Sequence, residues 1–268
     1  MERGRIAGAM SRQYVSWLVA VLMVSAPGAL SGQNKFDRAR DMLRELDSER
    51  SEAAKSGQAG KFTGAYLDRR LSAIGGVLNR ELGSALGGET APNCEGFQED
   101  LRRSLGFGGE PDANIASVLC IPRDRGTYYV VAYALAGAAT YSRSWIGVFG
   151  PSGIAHKNQL LASAENRLPD KTVALAHLPD AEGGGVRFLA YGINWGDAHN
   201  RLTVIAYRLM GQNLKAMWSR TDLPEGQVKV EDGKIDLSFL SSAFGPGNKS
   251  VHLIKESYRV TAAGIYPQ

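Results

Sequence analysis

Hydrophobic residues recur every three or four positions in the part of the chain that follows residue 32. This spacing places them on one face of a helix and leaves charged residues on the other face. It predicts helices over residues 33–58, 62–86 and 95–105. The pair Gly75-Gly76 falls in the middle of the second helix, where two glycines permit close packing or a kink.

After residue 112 the pattern changes to short apolar or alternating runs separated by turn residues, which is typical of β-strands. It predicts three blocks of four strands. The predicted strands cover residues 115–121, 127–135, 142–149 and 159–165, then 173–178, 186–194, 202–210 and 214–219, then 227–230, 234–240, 251–260 and 264–266. Between two strands of the last block, Asp232-Gly233 is a strong β-hairpin signal.

The first two blocks resemble each other. Ala132-Tyr133 in the second strand of block one matches Ala190-Tyr191 in block two, and Leu168-Pro169 after the fourth strand matches Leu223-Pro224. Four short antiparallel strands in each repeat are typical of a β-propeller blade. We therefore expect a mainly β fold with an α-helical N-terminal part and three blade-like, four-stranded units. Propellers usually close with about four to eight blades, so a partial propeller and a β-sandwich both stay open.

The first 31 residues have the order of a secretory signal peptide. Arginines precede an apolar run over residues 14–26, Pro27-Gly28 breaks the run, and small residues follow. We expect cleavage near Ser31 and Gly32. An uncleaved membrane anchor is the alternative, but a membrane span needs about 20 apolar residues. The predicted organisation is a signal peptide over 1–31, a helical region over 32–111 and a β-rich repeat domain over 112–268, in a secreted or periplasmic protein.

The two cysteines, Cys94 and Cys120, both follow the predicted signal peptide. An even pair in an exported chain indicates a disulfide. The chain-entropy relation gives roughly 3.5 kcal/mol for a loop of this length. Such a bond would tie the helical region to the first strand, and two buried thiols are the alternative.

Charge narrows the choice of partners. The formal net charge is +4, and three arginines with one glutamate place +2 of it in the predicted signal peptide. The small remainder argues against nucleic acid or an anionic membrane as a partner. We also expect no stable membrane span once the signal peptide has been removed.

None of the candidate segments for catalysis, metal binding or cofactor binding matches the linear motif that it resembles. The segment from Gly150 to Gly153 resembles a nucleophile elbow around Ser152, but Ile154 stands where the motif needs glycine. The four histidines form none of the usual metal-binding spacings. The three glycines at 183–185 precede a strand and not a helix N-terminus, so they do not form a phosphate loop. We predict no catalytic residue, metal or cofactor.

One loop offers a candidate ligand-binding site. Trp195 stands at a predicted strand end beside Gly196, and Asp197 and His199 follow it in the loop. A partly exposed tryptophan beside polar groups is a common contact for ligands or partners. Core packing of the tryptophan and a solvated loop are the alternative interpretations.

These features favour an exported, non-catalytic binding or assembly module whose partner is an unknown protein or extracellular ligand. The alternative is a secreted hydrolase with an active site built from loops. A deep pocket with convergent carboxylates and a histidine would favour the enzyme, and a flat or apolar groove would favour the binding module. A third option is a self-assembling homo-oligomer, because three sheets leave edges that a second chain could cover.

Overall fold

Three α-helices and twelve β-strands follow one another along the part of the chain that the computed structural model describes. The described residues are 35–88, 92–106, 114–138, 141–152, 157–165, 168, 173–182, 184–195, 200–241 and 251–268. The predicted signal peptide lies outside them. The predictions of three N-terminal helices and of twelve strands are confirmed.

The helices come first. They are α1 (Asp37–Lys55), α2 (Gly64–Leu86) and α3 (Cys94–Leu105), with a short 3₁₀ turn at Ala59–Lys61 between the first two. The strands are β1 (Asn114–Arg123), β2 (Gly126–Ala138), β3 (Tyr141–Pro151), β4 (Asn158–Glu165), β5 (Ala174–His177), β6 (Arg187–Trp195), β7 (Asn200–Met210), β8 (Asn213–Pro224), β9 (Gln227–Glu231), β10 (Lys234–Leu240), β11 (Leu253–Val260) and β12 (Ile265–Pro267).

The strands form three four-stranded antiparallel sheets, each a simple meander in chain order: β1 to β4, β5 to β8 and β9 to β12. Each described sheet has two edge strands, and none closes on itself. One difference from the predicted pattern is in β8, which continues to Pro224. Leu223 is buried opposite Leu202, and this burial carries the strand past the left-handed residue Asp222.

Side-chain alternation along the strands places apolar groups on both faces of the first two sheets. In β2, Tyr129, Val131 and Tyr133 face the helices, whereas Val130 and Ala132 face the second sheet. In β7, side chains likewise alternate between the core shared with the first sheet and the core shared with the third. Three apolar layers therefore lie between helices, first sheet, second sheet and third sheet, and residues Asn34–Gln268 form one unit.

The third sheet ends the stack because only one of its faces is apolar. Ile235 and Leu237 of β10 face the second sheet and are buried. Polar and charged residues occupy most of the opposite face, with ion pairs between Lys229 and Glu231 at 2.8 Å and between Lys234 and Asp236 at 3.2 Å. Repeat arrays need such a polar outer face to stay soluble.

Helix α1 packs on the body of the protein, with Phe36, Ala39 and Leu43 in the first core layer. Phe36, the N-cap residue before α1, supplies no side-chain cap. The carboxylate of Glu81 in α2 takes that role by accepting hydrogen bonds from the backbone N–H groups of Arg38 and Ala39 at 3.1 and 3.3 Å. A tertiary contact thus satisfies donors that helix starts leave without partners.

The predicted disulfide is confirmed. Cys94 begins α3 and bonds to Cys120 of β1, with the two Cα atoms 6.0 Å apart. Beside it, Gln98 accepts from the backbone N–H of Val118 at 2.8 Å, and Arg102 donates to the carbonyl of Ala116 at 2.7 Å. Side chains of α3 thereby cover the backbone groups along the outer edge of β1, which would otherwise invite another strand.

The fully buried Arg187 of β6 joins the second sheet to the third. Its guanidinium donates to the carbonyls of Pro179 at 2.7 Å and Asp180 at 2.6 Å in the loop after β5, and to that of Thr261 after β11 at 2.7 Å. A planar fork of donors can serve three carbonyls at once, which a lysine cannot do.

Replacing Arg187 with methionine should destabilise the protein by about 3–5 kcal/mol, because the carbonyls of Pro179, Asp180 and Thr261 lose hydrogen bonds from a charged donor, each worth about 1.5–3 kcal/mol. Urea unfolding followed by circular dichroism measures this loss. Arg125→Met is the matched control at an exposed position and should shift the free energy of unfolding by less than about 0.5 kcal/mol. Equal effects of the two substitutions would contradict the role given to Arg187.

Reducing the disulfide should lower the free energy of unfolding by about 3.5 kcal/mol, because the bond no longer restricts the unfolded chain to a closed loop. Guanidinium unfolding with and without reductant measures the difference. The double variant Cys94→Ser, Cys120→Ser should match the reduced protein and be insensitive to reductant. A variant as stable as the oxidised protein would show that the bond contributes little.

Candidate functional site

The structure describes only part of the loop site predicted from the sequence. Trp195 is the last residue of β6, and its backbone pairs with Asn200 of β7. Its side chain, together with Asp197 and His199, lies outside the described residues. The proposed contact role of this loop therefore stays a prediction.

The described residues form a different site, a cleft between α2 and the first sheet with a volume of about 180 Å³. One wall is α2, and side chains from β2, β3 and β4 form the rest of the cleft. Its lining residues are Leu71, Ser72, Gly75, Gly76, Asn79, Tyr133, Leu135, Arg143, Trp145 and Glu165.

Gly75 and Gly76 of α2 have no side chains, and this leaves room for the upper part of the cleft. A Cβ atom at Gly75 would lie 3.2 Å from the Tyr133 hydroxyl, so glycine lets the helix approach β2 closely. The hydroxyl donates a hydrogen bond of 2.8 Å to the side-chain oxygen of Asn79. The glycine pair noted in the sequence thus serves close packing.

Two aromatic rings form the floor. Tyr133 and Trp145, neighbours across β2 and β3, stack with ring centroids 5.2 Å apart and an interplanar angle of 26°. The indole needs the bare backbone of Gly147 beside it, because a Cβ there would lie 2.0 Å from the ring. The floor is therefore a fixed apolar surface under a polar rim.

The rim holds an ion triad. Arg143 of β3 bonds to Asp68 of α2 at 2.6 Å and to Glu165 of β4, so its guanidinium links the helix to the sheet. These contacts raise the pKa of Arg143, chiefly through the hydrogen bond to Glu165. Burial raises the pKa of Tyr133 well above its ordinary range.

Both shifts move the pKa further above neutral pH, so at neutral pH Arg143 stays protonated and charged and Tyr133 stays protonated and uncharged. An efficient general acid or base has a pKa near the working pH, so Arg143 and Tyr133 are not tuned for proton transfer. The cleft instead offers hydrogen bonds: Arg143, Asn79 and Ser72 are donors, and Glu165 is an acceptor.

No cluster of three or more His, Cys, Asp or Glu residues suited to a metal ion occurs within the described ranges. None of the helices in that part of the chain combines the length and apolar character needed to span a bilayer.

The sequence contained a signal for one wall of the cleft only. The Gly75-Gly76 pair was visible as a break in a helical pattern. Asp68, Arg143 and Glu165 stand in three different elements, and no local spacing relates them. Their meeting depends on how α2 crosses the sheet.

No protein-family model matches the chain, and no curated protein shows significant similarity to it.

Alanine substitutions at two glycines of α2 should distinguish the effect on stability of the close contact at Gly75 from that of helix propensity. Gly83→Ala, with open space around its Cβ, should stabilise the protein by up to about 1 kcal/mol. Gly75→Ala should be less stable than Gly83→Ala by about 1 kcal/mol, because the Tyr133 hydroxyl must shift and its hydrogen bond to Asn79 weakens. Thermal unfolding of both variants measures the difference, and equal gains would contradict the close contact.

Proposed function

We propose that the protein is an exported, non-catalytic binding module that takes an uncharged polar group in the cleft between α2 and the first sheet. The observation that carries this proposal is the mutual pairing of the cleft's ionisable groups. Arg143 is held between Asp68 and Glu165, and Tyr133 donates to Asn79. Groups locked in this way can present fixed hydrogen bonds to a ligand.

The size of the cleft supports recognition of a single group. Pockets for whole small-molecule substrates usually measure about 300–1,000 Å³, compared with about 180 Å³ here. A space of this size suits one functional group of a larger ligand, such as an amide or a hydroxyl-bearing ring edge. The rest of the ligand would lie across the surface around α2.

The existing ion pairs favour an uncharged group. Arg143 is already bonded to Asp68 and Glu165, so an incoming anion would have to displace one of these carboxylates from the guanidinium. A cation would have to compete with Arg143 for Glu165. An amide has both a donor and an acceptor, and it matches the mixed donors and acceptors of the rim without disturbing the triad.

Export is part of the proposal. The charged, apolar and small-residue order of residues 1–31 supports a signal peptide. The Cys94–Cys120 disulfide supports an oxidising compartment, since such bonds persist in secreted and periplasmic proteins.

The three sheets are proposed to be blade-like units of a partial propeller. They share one meander order, and they are stacked face to face through two apolar layers. Because helices cover one end of the stack and a polar face ends the other, three units suffice without closure. Trp195, Asp197 and His199, at the end of β6 and in the segment after it, are proposed as a second contact region.

Three probes of similar size and different charge test the cleft: acetamide, acetate and methylammonium. Acetamide should shift the backbone NMR signals of Gly75 and Gly76 saturably with a dissociation constant in about the millimolar range, as expected for so few atoms. Acetate and methylammonium should shift them little. Gly76→Val should fill the cleft and abolish the effect, whereas Gly83→Val, at an open position of the same helix, should preserve it.

Acetamide shifts that persist in Gly76→Val, or equal responses to all three probes, would contradict this assignment of the cleft. The hydrolase alternative is tested on the same samples with chromogenic esters, glycosides and peptides. Turnover by the unsubstituted protein that disappears in Gly76→Val would show that the cleft is catalytic.

A further inference from the structure

Part of β11 lies at an edge of the third sheet without a described strand beside it. β12 pairs with β11 only at Tyr258, Arg259 and Val260, and Gln268 extends this contact by donating to the carbonyl of Ser257 at 2.9 Å. From Leu253 to Glu256, the only described strand that pairs with β11 is β10.

The direction of the backbone groups along this edge follows from their hydrogen bonds. His252 and Val260 bond toward β10, whereas Ser257 bonds toward β12. Because N–H and C=O groups alternate in direction along a strand, those of Leu253 and Lys255 point away from β10. These N–H and C=O groups can form hydrogen bonds with an added strand, which would lie in line with β12.

The side chains at this edge are unusually apolar for an exposed position. Leu253 is 59% exposed and Val251, just before the strand, is 44% exposed. The opposite edge of the same sheet, β9, carries the exposed charges of Lys229 and Glu231, which is the usual protection against strand addition.

Other elements contact both edge strands of the first sheet, β1 and β4. Side chains of α3 satisfy the backbone of β1, and α2 and β8 both contact β4. The Leu253 end of β11 thus combines exposed apolar side chains with outward-pointing backbone groups.

We propose that a second copy of this chain pairs with this edge. Two β11 strands would run antiparallel about a two-fold axis at Leu253, forming an eight-stranded sheet that spans two molecules. This inference concerns a surface separate from the cleft and does not depend on the proposed binding function.

The edge is complementary to itself in this register. Leu253 lies opposite Leu253 of the second copy, and Lys255 lies opposite Val251 of the second copy. Like charges therefore do not meet, and the aliphatic part of each lysine covers a valine. Shifting the pairing to centre on Lys255 would set two lysines against each other, which destabilises a cross-strand pair.

The contact is short, so the dimer should be weak. Pairing over five or six residues buries less than the about 1,200 Å² of a stable complex, and association should depend on protein concentration. A covalent trap is therefore a better test than a measurement of mass at one concentration.

The test is disulfide cross-linking of two single-cysteine variants, L253C and K255C, under mild oxidation. Both native cysteines are already bonded to each other, so the added thiol is the reactive one. In the proposed register the two Cα atoms at position 253 lie about 5.5 Å apart, within disulfide range. Those at position 255 lie about 14 Å apart, four strand positions along.

L253C should form a linked dimer at least tenfold faster than K255C, and Leu253→Lys should reduce the concentration-dependent association of the otherwise unsubstituted protein in sedimentation velocity. Equal rates for the two cysteine variants would reflect random collision and overturn the proposal. Faster linking of K255C would overturn the register, and absence of linking in L253C would overturn the dimer. Circular dichroism of each variant verifies that the exposed substitutions leave the fold intact.

Discussion

The first sheet has apolar side chains on both faces, and an apolar face exposed to water costs free energy in proportion to its area. Both faces must therefore be covered. Helices α1, α2 and α3 cover one face, and the second sheet covers the other. The second sheet is also apolar on both faces and needs the third, whose polar outer face ends the sequence of layers. The order of layers follows from which strands alternate and which do not.

Covering faces leaves the edges, where backbone groups still need partners. At β1 the protein meets this need with Gln98 and Arg102 of α3, held close by the disulfide between Cys94 and Cys120. Where the second and third sheets meet, Arg187 donates hydrogen bonds to backbone carbonyls of two loops. These polar contacts set how neighbouring layers are positioned, while the apolar layers supply most of the stabilisation.

The cleft is a consequence of the same covering. A helix laid on a twisted sheet does not touch it everywhere, and the approach of α2 at Gly75 opens a gap beside it. Arg143 closes one side of that gap by bonding to Asp68 on the helix and Glu165 on the sheet. The residues that fasten the helix to the sheet are thus the ones that form the polar rim, which links the binding proposal to the architecture.

The amino-acid sequence by itself determined the elements of this protein. Helical and alternating periodicities identified three helices and twelve strands, the repeat grouped the strands in fours, and two cysteines after a predicted signal peptide indicated their bond. These features are local, or involve only one pair of residues. The length of β8 was missed, because the burial of Leu223 against Leu202 extends the strand beyond its apolar run. Only the tertiary structure decided the cleft, the triad of Asp68, Arg143 and Glu165, and the uncovered edge at Leu253. Each depends on how separate elements pack against one another, and packing brings together residues whose spacing along the chain carries no trace of the contact.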